Sequence, residues 1–216
     1  MAIIKRMEES KATWKEIQEI INSGKAAELL KPGTEIIEKL MDGRKAIIVV
    51  TAVDLYQKGE VRFGFRNTIA HRRMNGDWTN EGGWPECYMR RYLNKEVIKW
   101  LPDELVEILS PIKTVQIHDG ETLECEDLLC LPSEYEVFGE AYYSKYNGID
   151  KQFPFYRDRI NRIVVDKDGD PDFWWLASPH ASNATTFCVV SSSGSAGNSD
   201  ASYSLGVAPG FKICKS

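Results

Sequence analysis

The chain has 216 residues, of which 43% are apolar, so it is long enough for one large domain with a buried core. Its net charge is −5, and no run of lysine or arginine is longer than two residues. This composition argues against a nucleic-acid partner, because proteins that bind nucleic acids carry basic patches.

The sequence also predicts where the chain is made. Residues 1–14 lack an apolar stretch of signal-peptide length, and the longest later apolar run, residues 46–50, has the length of a strand. We therefore expect no signal peptide and no membrane insertion. The cysteines are odd in number and irregularly spaced, which favours free thiols in a chain made in a bacterial-type cytoplasm; they are Cys87, Cys125, Cys130, Cys188 and Cys214.

The first half of the chain predicts helices and a hairpin. Thr13 and Glu16 have capping-box spacing ahead of a helix that ends at Gly24. The apolar runs at residues 35–41 and 44–53 flank an Asp-Gly pair, which is typical of a tight β-hairpin turn. Residues 80–101 repeat apolar side chains at helical intervals and predict a second helix, stopped by a proline. A short third helix is predicted over residues 103–109.

The second half is poorer in helical patterns. Residues 113–117 predict a strand, residues 128–138 a strand and loop, and residues 166–172 an exposed turn. A dense aromatic run at residues 173–176, a strand-like run at 187–190 and an apolar anchor at 206–211 follow. Two early helices and later short strands joined by long loops predict the α+β class. We expect a single domain over residues 1–216.

Residues 177–205, the variable segment, stand apart in composition. Asp200 is the only charged residue among 29, although about eight would be expected from the 27% charged content of the chain. Flexible linkers often have this serine- and glycine-rich composition. The flanking Trp174, Trp175 and Phe211, however, must bury apolar area. We therefore predict that the segment is ordered and held against a core.

Small polar side chains on a rigid scaffold are typical of antibody-like recognition loops. Serine, asparagine and glycine provide adaptable hydrogen bonding, and an occasional aromatic residue provides contact area. Tyr203, His180 and Leu205 are the predicted anchoring side chains. The segment therefore predicts a ligand-binding surface rather than a catalytic site.

The run WWLASPHASNATTFCVVSSSGSAGNSDASYSLGVAPGF resembles the C-terminal variable region of proteins diversified by bacterial and phage diversity-generating retroelements. The pieces GGWPECYMRRYLN, LPDELVEIL, LPSEYEVFG and WWLASP resemble a family of uncharacterised domains from gut bacteria and their phages. The resemblance implies a C-type lectin-like fold with two main helices, short antiparallel strands and long loops. It also implies a variable region over residues 174–211 and receptor binding on a virion or cell surface. The expected partner is a protein or another cell-surface macromolecule.

The resemblance allows a test within the one sequence. Retroelement templates are rich in AAY codons, in which adenines are replaced. Twelve aligned positions hold residues that AAY reaches by adenine replacement alone. These are His180, Thr186, Val189, Ser191, Ser193, Ser195, Gly197, Asn198, Ser199, Asp200, Tyr203 and Leu205. Ala177, which stands where arginine is common in the family, is taken as a thirteenth variable position. The segment lacks Lys, Glu, Gln, Met and Trp, which all need a purine third base.

These thirteen residues are the predicted ligand-binding set. Because alternate residues of an extended strand share one face, Ser191, Ser193 and Ser195 are expected to point the same way. All thirteen side chains are expected outside the core.

Two alternative functions remain open. Residues 166–172 are rich in aspartate and suggest a calcium-dependent carbohydrate-binding lectin, but Gly169 is fourth in the loop where an EF-hand needs the sixth position. A Cys/His hydrolase would use Cys87 or Cys188, although no nucleophile signature surrounds either one. The expectation is that the protein has no catalytic activity, no cofactor and no metal.

Overall fold

The computed structural model describes residues 13–216. In this range thirteen strands form four sheets, and the longest of six α-helices has nine residues. Strands make up 33% and helices 23% of the residues. The predicted α+β, C-type lectin-like arrangement with two main helices is therefore wrong, and the fold is mostly β. Most of the segment on which the signal-peptide expectation rests, residues 1–12, lies outside the described residues.

The α-helices are α1 Trp14–Asn22, α2 Ala26–Leu29, α3 Gly83–Glu86, α4 Tyr88–Lys95, α5 Asp103–Val106 and α6 Glu134–Phe138. Three 3-10 helices span Val97–Trp100, Pro154–Arg157 and Arg159–Arg162. The strands are β1 Glu35–Lys39, β2 Lys45–Val53, β3 Glu60–Phe65, β4 Ala70–Arg72, β5 Ile112–His118, β6 Glu121–Asp127, β7 Val164–Val165, β8 Pro171–Asp172, β9 Trp174–Pro179, β10 Thr186–Val190, β11 Ala196–Asp200, β12 Leu205–Val207 and β13 Gly210–Cys214.

Several local predictions are confirmed. Thr13 and Glu16 form both hydrogen bonds of a capping box at the beginning of α1. β1 and β2 form the hairpin around Asp42-Gly43, with Lys39 opposite Lys45. Residues 166–170 form the turn between β7 and β8. In each case a short sequence signal specifies a short piece of backbone.

The predicted second helix over residues 80–101 is broken into α3, α4 and a 3-10 helix. Gly82 and Gly83 have φ of 70° and 55°, in the left-handed region that favours glycine. A Cβ on Gly83 would lie 2.8 Å from Oε1 of Gln116, so this turn also needs the close approach that glycine allows. Cys87 is extended and separates α3 from α4. The helical spacing survives only within α4, which buries Met89 and Leu93.

The strand and loop predicted over residues 128–138 are also partly wrong, because α6 occupies the end of this range. Ser133 and Glu136 form a second capping box, with Ser133 as the N-cap. The local signal was therefore present in the sequence. The helix ends at Gly139, which has φ of 73°.

The strands pair into two larger sheets and two hairpins. One sheet has the order β1-β2-β3-β13, and the five-stranded sheet has the order β11-β10-β9-β12-β4. β12 runs parallel to β9, whereas the other neighbours in the five-stranded sheet are antiparallel. β11 and β4 therefore lie at the two edges of the five-stranded sheet.

Two hydrophobic clusters cover opposite faces of the five-stranded sheet. One contains Trp175 and Phe187, and the other contains Trp174 and Cys188. Since successive residues of a strand point to opposite faces, β9 and β10 are buried on both sides. The prediction that Trp174, Trp175 and Phe211 lie in the core is confirmed.

Replacing Trp174 or Phe211 with alanine should lower the free energy of unfolding by about 3–5 kcal/mol, because each leaves a large cavity. Tyr203→Ala should change it by no more than about 0.5 kcal/mol, because Tyr203 is 59% exposed. Urea denaturation of the three variants measures these differences. A large loss for Tyr203→Ala would show that this side chain supports the fold.

Candidate functional site

The structure buries three of the thirteen predicted binding residues. Ala177 and Val189 are each 1% exposed and Thr186 is 7% exposed. All three lie on β9 or β10, which are covered on both faces. The expectation that every variable side chain lies outside the core is therefore wrong at these positions.

The other ten residues keep accessible surface. They occupy the edge strand β11, the turns at its two ends, the loop between β9 and β10, and the beginning of β12. Ser193, Asn198 and Tyr203 are exposed. The partly exposed members are His180, Ser191, Ser195, Gly197, Ser199, Asp200 and Leu205. We name these ten residues the recognition surface.

The loop between β9 and β10 is held by Asn80, a residue far away in sequence. The Asn80 side-chain amide lies 3.2, 3.0 and 2.9 Å from the carbonyl oxygens of His180, Asn183 and Thr186. Its backbone N–H donates to the carbonyl of Ala184 at 2.8 Å. Asn80 is 1% exposed, so these carbonyls have a partner that water cannot readily replace. One buried side chain therefore fixes the path of the loop.

Tyr143 supports the same loop from another direction. Its carbonyl accepts a hydrogen bond from Ala181 N at 2.8 Å, and its ring centroid lies 5.6 Å from that of His180. Tyr143 is itself held by the fully buried Glu134 carboxylate, which accepts from the N–H groups of Tyr143 and Ser144. The His180 ring Nδ1 accepts from Ser182 N at 3.1 Å. His180 is thus oriented by contacts on both sides of its ring.

The three alternating serines do lie together, but for a different reason from the one predicted. Ser191, Ser193 and Ser195 belong to the β10–β11 turn, where successive Oγ atoms lie 3.1 and 3.3 Å apart. Arg159 donates to the Ser193 carbonyl and to the Ser195 hydroxyl, each at 2.9 Å. A Cβ on Gly194, whose φ is 77°, would lie 2.8 Å from the Arg159 carbonyl. A tight turn, rather than strand alternation, brings the hydroxyls together.

Trp78 is an exposed aromatic residue that the sequence analysis missed. It is 70% exposed. Its loop is tied to the variable segment on both sides, since Asn75 N donates to the Ala201 carbonyl and Asn80 N to the Ala184 carbonyl. An isolated tryptophan in a polar, turn-rich stretch was the available signal. Exposed tryptophans are frequent among residues that dominate binding energy, so Trp78 is a candidate contact beside the recognition surface.

A separate polar cluster lines a small cavity that Ala177 also borders. Thr51, Arg62, Glu136 and Asp150 all contribute to its wall. Burial, together with the nearby Asp150 carboxylate, raises the pKa of Glu136 from 4.5 to about 7. Glu136 accepts hydrogen bonds from the Tyr56 hydroxyl and from Ser133 N, each at 2.9 Å. This cluster leaves no local signal in the sequence, because its members come from four separate segments.

The Glu136 pKa predicts a pH dependence of stability. The folded state holds this proton more tightly than the unfolded chain, so the stabilisation is complete below pH 4.5 and is lost as the pH rises to about 7. Over this pH range the free energy of unfolding should fall by roughly 1–3 kcal/mol less in Glu136→Gln than in the wild-type chain. Urea denaturation from pH 4 to pH 8 measures the difference.

The exposed Glu121 on β6 supplies the control. Glu121→Gln should leave the pH dependence of the wild-type chain unchanged. If Glu136→Gln and the wild-type chain showed the same slope between pH 4.5 and pH 7, the raised pKa would be refuted.

Burial or local hydrogen bonding shifts the pKa of the cysteines and of Asp166, the residues on which the two alternative functions depend. Burial raises the pKa of Cys87 and Cys125 to about 12, which is opposite to the lowered pKa of a cysteine nucleophile. The Asp166 carboxylate accepts hydrogen bonds from the N–H groups of Asp168 and Asp170 within its own turn, which lowers its pKa. Over residues 13–216 no three potential ligand side chains are grouped to hold a metal ion.

The fold and the surface define a class of protein: a mostly β domain in which two inner strands of the five-stranded sheet are buried on both faces and the edge strand β11 carries small polar residues. The chain belongs to the family described as a domain of unknown function (DUF6273), whose model matches residues 36–215. No curated protein and no solved structure matches it. Within residues 13–216, none of the helices has the length and apolar character needed to cross a membrane.

Removing the Asn80 side chain should loosen the loop between β9 and β10. Asn80→Ala removes the side-chain donor shared by the carbonyls of His180, Asn183 and Thr186, so we expect a loss of about 1–3 kcal/mol in unfolding free energy. Hydrogen exchange should accelerate at the amides of Ala181 and Thr186, which donate to the carbonyls of Tyr143 and Asn183.

Asn94 gives a matched control, because its side-chain amide also donates to backbone carbonyls, those of Arg90 and Leu129. Asn94→Ala should cost comparable stability but leave the exchange of Ala181 and Thr186 unchanged. Equal acceleration in both variants would mean that Asn80 has no specific role in the loop.

Proposed function

We propose that this protein is a ligand-binding module that recognises a protein or another macromolecule on a host or neighbouring cell. The recognition surface carries the contacts, and its side chains are diversified by a retroelement. This role requires neither a cofactor nor catalysis. It also does not require a C-type lectin-like fold.

The observation that carries this proposal is how the variable segment is held. Asn80, Asn75 and Tyr143 make their hydrogen bonds to its main chain, through carbonyl oxygens or N–H groups. Main-chain groups are present whatever the side chain is. The loops would therefore keep their conformation while the exposed side chains vary, which is what a diversified surface needs.

Burial limits the variable set. At Val189 an unchanged AAY codon would place asparagine in a covered strand, and adenine replacement could place aspartate or histidine there. Burying an unpaired polar or charged group is costly, so most such variants would lose stability. We therefore exclude Ala177, Thr186 and Val189 from the binding residues and retain the ten residues of the recognition surface.

The two alternatives have weaker support. A calcium-dependent lectin would need carboxylates free to coordinate the ion, and Asp166 uses its carboxylate within its own turn. A cysteine hydrolase would need an activated thiol, and burial raises the pKa of Cys87, Cys125 and Cys188. No hydrogen bond joins a cysteine to a histidine in residues 13–216.

The DNA around the gene provides the test. We expect a reverse-transcriptase gene and a near-copy of the repeat that encodes residues 174–211, with AAY codons at the ten recognition positions. Sequencing of the repeat in sibling isolates should show substitutions at these positions. The codons of the intervening Gly194 and Ala201 should stay constant, because Gly194 needs positive φ and Ala201 is buried.

Three results would contradict the proposal: absence of a template repeat, substitutions spread evenly over all codons, or substitutions that do not start from adenine. Each can be read from DNA alone, independently of any binding assay.

A further inference from the structure

The main chain of β11 is paired on one side only. β10 is its hydrogen-bonded neighbour, and the register runs from Thr186 opposite Asp200 to Val190 opposite Ala196 without a bulge. Within residues 13–216 no strand pairs with the other side of β11. A regular, five-residue edge is therefore open along the recognition surface.

The hydrogen bonds at the two ends of the hairpin show which groups point outward. Ser191 N donates to the Ser195 carbonyl at 2.8 Å, and Ala201 N donates to the Thr185 carbonyl at 2.9 Å. In an antiparallel pair, bonded positions alternate. Gly197 and Ser199 therefore bond to β10, and the intervening residues of β11 point their main-chain groups away from it.

The outward groups are the N–H and C=O of Ala196 and Asn198 and the N–H of Asp200. The carbonyl of Asp200 already accepts a hydrogen bond from Tyr203 N. None of these five outward groups hydrogen-bonds to another part of residues 13–216. Together they form the donor and acceptor pattern that an added strand requires.

β11 lacks the protection that edge strands usually carry. Such edges are blocked by lysines, prolines, bulges or inward charges. β1, the edge of the other large sheet, carries Glu35, Glu38 and Lys39. β11 has the sequence AGNSD, with one charge at its last residue and no side chain larger than asparagine or aspartate. Nothing in this strand obstructs an approaching backbone.

We propose that β11 binds its partner by strand addition, in which an extended segment of a target polypeptide pairs with Ala196, Asn198 and Asp200. This inference rests on the proposed function and specifies the kind of ligand. Main-chain pairing would supply contacts that every diversified variant retains. The variable side chains of β11 would then select the side chains of the partner strand.

A second copy of the chain is a less suitable occupant. In a two-fold contact between two β11 strands, each substitution would change both sides of the interface at once. A diversified strand would then lose and regain self-association unpredictably. A foreign strand meets only one changed surface, so it is compatible with variation.

The test uses a displayed library of random 12-residue peptides, selected against the full chain. Asn198→Pro removes an outward N–H without breaking a bond to β10, and proline is tolerated in edge strands. Asn198→Ala removes only the side chain and is the matched control. We expect selected peptides to bind Asn198→Pro at least about tenfold more weakly than Asn198→Ala, because the two variants both lack the asparagine side chain and only Asn198→Ala keeps the outward N–H.

A second measurement does not depend on how Asn198→Pro folds. On the wild-type chain, bound peptide should slow hydrogen exchange at the amides of Ala196, Asn198 and Asp200. Methylating the peptide amides that point toward β11 should abolish binding. Methylating the alternate amides, which point away from β11, should leave binding intact. Equal effects of the two methylation patterns would overturn strand addition.

The remaining outcomes separate the two proposals. If Asn198→Pro binds normally while Trp78→Ala or Tyr203→Ala loses binding, the recognition surface stands and strand addition fails. If none of these variants affects binding, both fail. If selection yields no peptide, or if light scattering shows a dimer that Asn198→Pro dissociates, strand addition to a foreign polypeptide is overturned.

Discussion

The burial of two adjacent tryptophans determines how the rest of the chain is arranged. Trp174 and Trp175 are neighbours on β9 and point to opposite faces of the five-stranded sheet, where each is fully buried. Each indole N–H donates to a backbone carbonyl, from Trp174 to Arg162 and from Trp175 to Arg72, so neither carries an unsatisfied donor into the core. Both faces of β9 must therefore be covered, and the adjacent β10 is covered with it. The sheet then presents side chains to solvent at its edges and in its connecting loops.

This arrangement explains why the variable segment is both ordered and partly buried. The segment enters the sheet at β9, leaves it for the loop at residues 180–185, returns as β10 and emerges at the edge as β11. Side chains of the two inner strands belong to the core, and those of the loop and edge strand face outward. Asn80 holds the loop from outside the segment, and Arg159 holds the turn before β11. The backbone of the recognition surface is therefore held by residues that lie outside the variable segment.

How much the sequence predicts depends on how local each cause is. The hairpin at Asp42-Gly43 was predicted because the adjacent residues specify it. The helix over residues 80–101 was mispredicted because its break depends partly on Gly83 packing against Gln116, which is 33 residues away. The burial of Val189 was missed for a similar reason, since strand order, rather than composition, places β10 inside the sheet between β9 and β11. The Glu136 cavity, assembled from distant segments, left no pattern in the sequence at all.

An open edge strand can promote aggregation as well as ligand binding, because it offers the same pairing groups to any extended chain. If the side chains of β11 are diversified as we propose, this strand cannot depend on a lysine or a proline for protection, since diversification would replace either one. The protection must then come from geometry. β11 has only five residues, and both of its ends are fixed: the Gly194 turn closes one, and the fully buried Ala201 closes the other. The edge can thus pair with only a short strand, so under our proposal main-chain pairing alone would give a weak complex and stable binding would require matching side chains. The shortness of the strand would then make an unprotected edge selective.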